Sequence, residues 1–267
     1  MHYEERPPPS ELEDVVRCTW FLRGGVAGEV QRVVPDGCPE IIVNRADPFA
    51  CHDEGGTSVQ PTTPLVGQIR SALLISPTGE VDLVGIRFRP EGLAAFLDDA
   101  VAQVTDQQVA VTDAFAALDA ALRDAMVGSG GIEVTTRRVH TELMHHRRRR
   151  VSPLVRAAVD RIEAAAGHVR VEAVARDLDT TRRSLERRFR DDVGFGPKRF
   201  ARIARFQSSV QALEAEPRRD RARLALALGF SDQAHFNREF RAHAGQTPSR
   251  WLAEDHRFSD CFTGSAH

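Results

Sequence analysis

Cysteine is scarce in this chain: Cys18, Cys38, Cys51 and Cys261 are the only four, and no two form a C-x-x-C pair. Their spacing matches no zinc pattern, which leaves a metal or thiol sensor built on Cys38, Cys51 and His52, or plain reduced thiols, as the alternatives. Histidine is equally sparse early on. Before residue 137 only His2 and His52 occur, too few for the cluster of histidine and carboxylate ligands that a metal-dependent barrel enzyme needs. No catalytic residue, cofactor or metal is therefore assigned. No run approaches the ~18 apolar residues of a membrane span. The opening Met-His-Tyr-Glu-Glu-Arg-Pro-Pro-Pro lacks the basic-then-apolar pattern of an export signal, so the expectation is a cytoplasmic protein without a membrane partner.

What is present divides the chain in two. A length of 267 residues with 42% hydrophobic content allows two packed domains. The net charge of −2 conceals an asymmetry: residues 1–136 hold 9 Lys+Arg against 21 Asp+Glu, and residues 137–267 hold 27 against 17. Either one half meets a polyanion or both halves carry solvated charge.

The acidic half reads as short strands separated by turn residues. Val15–Leu22, Glu29–Val34, Glu40–Asn44, Ser71–Ile75 and Val81–Arg89 are β-branched or apolar runs. Pro35-Asp-Gly-Cys-Pro39 reads as a turn, and Pro77-Thr-Gly79 predicts a hairpin between the last two runs. Such spacing implies a small barrel or sandwich. Trp20, Asp36 and Glu40 either flank the entrance to a barrel pocket or serve as turn and core residues. From Pro90 the period changes: Glu91–Leu97 reads as a short helix. Thr112-Asp113 can cap a second carrying Phe115, Leu118, Leu122 and Met126, which stops at Gly128–Gly131. A third helix runs through Val139 and Leu143 to Arg147–Arg150. These two longer helices supply a dimer interface or cover the barrel, and the four arginines touch phosphate or form a solvated hinge.

The basic half is helical, and it contains one pattern twice. Gly229-Phe-Ser-Asp-Gln-Ala-His-Phe-Asn-Arg-Glu-Phe-Arg-Ala-His-Ala-Gly245 reads as a turn, a short helix with Phe236 and Phe240 inward, and a glycine stop. Upstream, Thr180-Thr-Arg-Arg-Ser-Leu-Glu-Arg-Arg-Phe-Arg-Asp-Asp-Val-Gly194 repeats it with Leu185 and Phe189 inward. Residues four apart share a helix face, so the opposite faces carry Arg183, Arg187 and Arg190 in one copy, and His235, Asn237, Arg238 and Arg241 in the other. Guanidinium and amide groups match the donor and acceptor edges of bases in the major groove. Together the copies predict two helix-turn-helix units that bind double-stranded DNA, with Arg182, Arg183, Arg187, Arg190, Gln233, His235, Asn237 and Arg238 as candidate contacts. Pro197–Leu213 reads as the helix joining them.

Residues 153–252 resemble the AraC-type (arabinose-regulator) transcription factors. The resemblance rests on Leu185-Glu-Arg-Arg-Phe189, Gly194-Phe-Gly-Pro-Lys198, Arg202-Ile-Ala-Arg-Phe206 and the Gly229–Pro248 stretch. It implies base contacts at Arg183 and Arg187 in the first unit, and at Gln233, Ala234, His235, Asn237 and Arg238 in the second. Asp179 stands where the family's first turn has glycine, and Thr180 where it has an apolar residue. The N-terminal stretches Trp20-Phe-Leu22, Pro35–Ile42 and Gly85-Ile-Arg-Phe-Arg-Pro90 resemble a cupin-like companion domain, which in the family binds a small effector, dimerises, or both. The expectation is an α+β chain: a cupin-like β-barrel with trailing helices and an Arg-rich linker over 1–150, an all-α double helix-turn-helix domain over 151–256, and a flexible tail over 257–267. The resemblance further implies a transcriptional activator that touches RNA polymerase, with a constitutive binder whose barrel only oligomerises as the alternative.

Overall fold

Residues 2–24, 29–127 and 130–254 are described by the computed structural model, side chains of 112–115 and 127 apart. The Thr112-Asp113 cap, Phe115, much of the Gly128–Gly131 stop, Cys261 and the tail over 257–267 thus lie outside the described residues. The N-terminal half is built from β1 (His2–Arg6), β2 (Val16–Arg23), β3 (Gln31–Val33), β4 (Glu40–Asn44), β5 (Phe49–Asp53), β6 (Gly56–Val59), β7 (Pro64–Val66), β8 (Leu73–Pro77), β9 (Asp82–Phe88) and β10 (Gln108–Ala110). They form two antiparallel sheets, in the orders β1-β2-β9-β4-β7-β10 and β3-β8-β5-β6.

Strand alternation explains why both faces of the larger sheet are apolar. Cys18, Trp20 and Leu22 of β2 point inward with Leu83 to meet Phe49 and Ile75 of the smaller sheet. Phe21, Ile41, Val43, Val84 and Ile86 point the other way, against helices. Those helices are α1 (Val111–Val127) and α2 (Ile132–His146), preceded by 3₁₀ turns at Gly92–Ala95 and Val101–Val104. Leu118, Leu122, Met126, Val139 and Leu143 are all buried on the sheet, so the apolar stripes of α1 and α2 cover it instead of offering a dimer face. Each such side chain contributes roughly 1.5–3 kcal/mol when fully buried.

Two expectations need correction. The Pro77–Gly79 turn joins β8 to β9, but β8 pairs with β3 and β5 while β9 pairs with β2 and β4. It is a corner between sheets, not a hairpin, whereas the consecutive strands β5 and β6 do form one. Of the helix expected over Glu91–Leu97, Gly92–Ala95 forms a 3₁₀ turn.

The C-terminal half is α3 (Pro153–Ala164), α4 (Val171–Asp177), α5 (Arg182–Val193), α6 (Pro197–Ala215), α7 (Arg221–Ala227), α8 (Gln233–Ala244) and α9 (Pro248–Trp251). α6 is the spine. Its first half, with Phe200, Ala201 and Ile203, joins the core of α3–α5, and its second half, with Phe206, Val210 and Leu213, joins the core of α7–α9. No described helix is long and apolar enough to cross a membrane.

The two halves pack along one seam. Arg89 Nη2 donates to Asp160 Oδ1 at 2.9 Å, Arg156 reaches the fully buried Glu91, and Gln207 Nε2 donates to the Pro35 carbonyl at 2.5 Å. Gly37, with φ +82°, lies so close to α6 that a Cβ there would sit 2.7 Å from the Phe200 ring. The linker arginines serve the same seam. Arg147 grips Asp14, Arg148 pairs with Asp98, and Arg149 pairs with Asp192 at 3.2 Å and donates to the Ala94 carbonyl at 2.7 Å. Three of the four arginines therefore staple the linker to the protein.

Candidate nucleic-acid interface

Each unit begins with a short helix closed by a left-handed turn. In the first, Leu178 ends α4, Asp179 takes φ +50°, and Thr180 N donates back to Ala175 O at 3.0 Å. In the second, Leu228 ends α7, Gly229 takes φ +71°, and Phe230 N donates to Ala225 O at 3.0 Å. Asp179 thus adopts the geometry that its departure from glycine required it to tolerate.

The recognition helices then start on side-chain caps. Thr181 Oγ1 accepts from Ser184 N at 3.2 Å, and Asp232 Oδ1 accepts from His235 N at 2.6 Å. That backbone hydrogen bond holds the Asp232 carboxyl below the usual range. Leu185, Phe189 and Val193 bury one face of α5, and Phe236, Phe240 and Ala244 bury one face of α8. Gly194 (φ +101°) and Gly245 (φ +71°) end the two helices, confirming both glycine stops.

These landmarks align the units by structure alone. The turns are fifty residues apart (Asp179 with Gly229), whereas the helices are fifty-one apart (Leu185 with Phe236, Phe189 with Phe240, Gly194 with Gly245). Ser231 is the additional residue. The alignment pairs Arg182 with Gln233, Arg183 with Ala234, Ser184 with His235, Glu186 with Asn237, Arg187 with Arg238 and Arg190 with Arg241. Arg241, which the helix period already places on the outer face, is exposed in the last turn of α8 and matches Arg190.

The candidate side chains are presented unequally. Arg183, Arg187 and Arg190 are exposed on α5, as are Gln233, Ala234 and Arg238 on α8. His235 and Asn237 are half-buried, and the His235 ring meets Phe230 edge-on while its Nδ1 lies 3.1 Å from Ser231 Oγ. Arg182 is held by Glu186 at 2.8 Å and Glu172 at 2.5 Å, so reaching a phosphate or base means leaving two carboxylates. The helices are braced from behind: Arg202 of α6 makes a two-pronged contact with Glu239 of α8, both distances 2.9 Å. Arg205 donates to Gly167 O at 3.1 Å and lies 5.9 Å above the Phe230 ring, linking both units to one helix.

The N-terminal half touches both recognition helices at their far ends. Thr105 Oγ1 donates to Gly194 O at 3.1 Å, and Asp192 takes Arg149. Arg32 Nη1 donates to Ala244 O at 3.0 Å, Ala72 N to His243 O at 2.8 Å, and His243 Nδ1 to Arg70 O at 2.9 Å. The carbonyls that a helix leaves unpaired at its C-terminus are thus met from the other half of the molecule.

Of the remaining candidates, Trp20 Nε1 donates to Glu40 Oε1 at 3.2 Å, and Arg87 Nε donates to the same oxygen at 2.6 Å. Burial pushes Glu40 up against the pull of Arg87. Cys51 Sγ donates to Gln108 Oε1 at 3.3 Å, His52 bonds Thr57 and Ser76, and Cys38 lies at the seam. Among the described residues no group of three or more His, Cys, Asp or Glu is placed to hold a metal ion.

Two helix-turn-helix units with matched turns, caps and stops on one shared helix define a DNA-binding module. Residues 174–254 match the model of a helix-turn-helix domain, and residues 4–110 match a domain of unknown function (DUF6597). The C-terminal part of the chain thus carries a helix-turn-helix domain. Similar solved structures include ToxT from Vibrio cholerae, 8% identical, with 88% of this chain and 97% of that one covered at a TM-score of 0.49. They also include an AraC-type regulator from Chromobacterium violaceum (28% identity, 38% and 90% covered, TM-score 0.35). A probable AraC family regulator from Rhodopseudomonas palustris is similar too (28%, 38% and 96%, TM-score 0.35). No curated protein matches the chain.

Proposed function

We propose that this protein is a transcriptional activator that reads two adjacent major-groove segments of one DNA face, with α5 in the first and α8 in the second. The observation that carries the reading is the structural equivalence of the two units on α6. At about 1.5 Å per residue, the nineteen residues of α6 span about 28 Å. With the widths of α5 and α8 added, that suits major grooves one turn, ~34 Å, apart. Arg183 and Arg187 read bases in the first segment, with Arg182 and Arg190 as flanking contacts, and Gln233, Ala234, His235, Asn237 and Arg238 read the second. Residues 151–256 are the DNA-binding domain and residues 1–150 the domain that senses an effector or pairs with a second copy. Contact with RNA polymerase follows from the activator reading, which assigns no catalytic residue and places the protein in the cytoplasm.

Selection of bound sequences from a random DNA pool by the full-length protein, at near-physiological salt, tests this. Two enriched boxes about one turn apart support it. A single box overturns the double reading, and no enrichment by folded protein means that DNA binding awaits an effector or that the first unit does not dock.

A further inference from the structure

The barrel interior is a poor place for an effector. The cavity between its sheets, lined by residues including Val33, Ile42, Phe49 and Leu83, holds about 40 Å³. The seam is different: a cavity of about 820 Å³ opens there between the barrel and the helical domain, within the ~300–1,000 Å³ typical of small-molecule sites. One wall is β2, the end of β9 and the Asp36-Gly37-Cys38 turn, the stretch that sequence alone marks as a turn and that the DNA-binding reading leaves without a role. The other wall is the end of α3 and one face of α6, with Phe200, Ala204, Gln207, Ser208 and Gln211.

Charge decides what fits. Arg87 is engaged by Glu40 and lies 3.8 Å from Asp36, and Arg89 is engaged by Asp160. The pair that lines the cavity from both walls is Arg17 of β2 with Glu163 of α3, each about one-third exposed. An anion that took Arg17 would leave Glu163 with only the more distant Arg89, and a cation that took Glu163 would leave Arg17 with only Asp36; either weakens the pairing of a partly buried charge. A molecule bearing both charges replaces the pair without that penalty. The amides of Gln207 and Gln211 and the Ser208 hydroxyl supply neutral donors and acceptors for the rest of it.

We propose that the seam cavity is the effector site and that it takes a small zwitterion, an amino acid or short peptide, with its carboxylate on Arg17 and its ammonium on Glu163. The inference rests on the regulator reading and deepens it. The cavity wall is α6, the spine of both helix-turn-helix units, and the same seam holds Gly194 O and Ala244 O at the ends of the recognition helices. An occupant that separates Arg17 from Glu163 therefore shifts the barrel against the helix that sets the spacing of α5 and α8.

The test is thermal unfolding of the full-length protein, without DNA, with each of the twenty protein amino acids and, in a second arm, alanyl-alanine and other unmodified dipeptides. At a hundredfold excess over Kd a true ligand raises the midpoint by roughly 5 °C or more. Its amide, lacking the carboxylate, and its N-acetyl form, lacking the ammonium, should bind at least tenfold more weakly. Arg17→Gln with Glu163→Gln removes both charges together and should unfold cooperatively but lose the shift. Ser208→Phe, which fills the cavity and leaves the ion pair intact, should lose it too. The arm that responds separates an amino acid from a peptide. No stabilisation in either arm, equal binding of the amide or N-acetyl form, or a shift that survives in both variants overturns the proposal. Because DNA is absent, a failed DNA selection leaves these readouts unaffected.

Discussion

The two helix-turn-helix units share a scaffold and differ in what they present. Their turns, caps, inward stripes and glycine stops correspond in order, with Ser231 the one additional residue of the second. At matched outer positions the first carries Arg182, Arg183 and Arg187, and the second Gln233, Ala234 and Arg238. A surface of guanidinium groups favours guanine edges and phosphate, while a mixed surface can distinguish adenine and thymine contacts as well. The comparison teaches that the inner face fixes the scaffold and leaves the outer face free to differ, so the two can be broken separately.

The largest effects should come from the inner face. Phe189→Ala and Phe240→Ala should each destabilise by about 3–5 kcal/mol in urea unfolding. Phe240 lies 5.2 to 5.9 Å from the rings of Phe206, Phe236 and Trp251, whereas Phe189 has one described aromatic neighbour, Phe200, at 5.6 Å. Aromatic pairs add about 0.5–1.5 kcal/mol each beyond area, so the Phe240 variant should be the less stable. The reverse order would mean that the first unit holds the domain together. Next come the matched arginines of the outer face. Arg187→Ala and Arg238→Ala should each cost ~1–3 kcal/mol of DNA binding and relax base preference at one position. A loss equal across all sequences would make that arginine a phosphate contact.

The inner faces were legible because they are local. Leu185 and Phe189, like Phe236 and Phe240, sit four apart, and a glycine ends each run. The shared spine was nearly legible for the same reason: the proline at 197 starts it, and it runs two residues past the expected Leu213. The barrel was legible only as strands. β4 matched its expected bounds, but sheet pairing depends on partners far apart in sequence, and turn composition cannot tell a hairpin from a corner between sheets. β1 escaped notice because His-Tyr-Glu-Glu-Arg is polar, its pairing with β2 being carried by the backbone. The seam was illegible altogether. Arg17 and Glu163 stand 146 residues apart, and no periodicity joins them.

The turns offer a smaller and more direct exchange between the units. Gly229→Asp gives the second unit the first unit's turn residue, at φ +71° and with a Cβ that would meet the His168 ring at 2.7 Å. It should cost about 1–2 kcal/mol from left-handed backbone strain alone. Asp179→Gly, the reciprocal change, relieves that strain but loosens the unfolded chain by about 0.4–1 kcal/mol, so its net effect should be a gain of no more than about 1.6 kcal/mol. Thermal unfolding of both variants checks the asymmetry. Equal costs would show that the turns tolerate a side chain alike and that the crowding by His168 is relieved elsewhere.

The smallest effect should fall on Arg182. Its counterpart Gln233 is exposed, while Arg182 is shared between Glu172 and Glu186. An arginine already paired with two carboxylates gains less from DNA, because each new contact replaces an existing one. Arg182→Gln makes the first unit match the second at this position and should weaken DNA binding less than Arg187→Ala, with the salt dependence of binding nearly unchanged. A loss as large as that of Arg187→Ala, with a shallower salt slope, would show that the ion pairs open on binding and that Arg182 is handed from carboxylate to phosphate. The first unit would then differ from the second by a held charge as well as by its base-reading face.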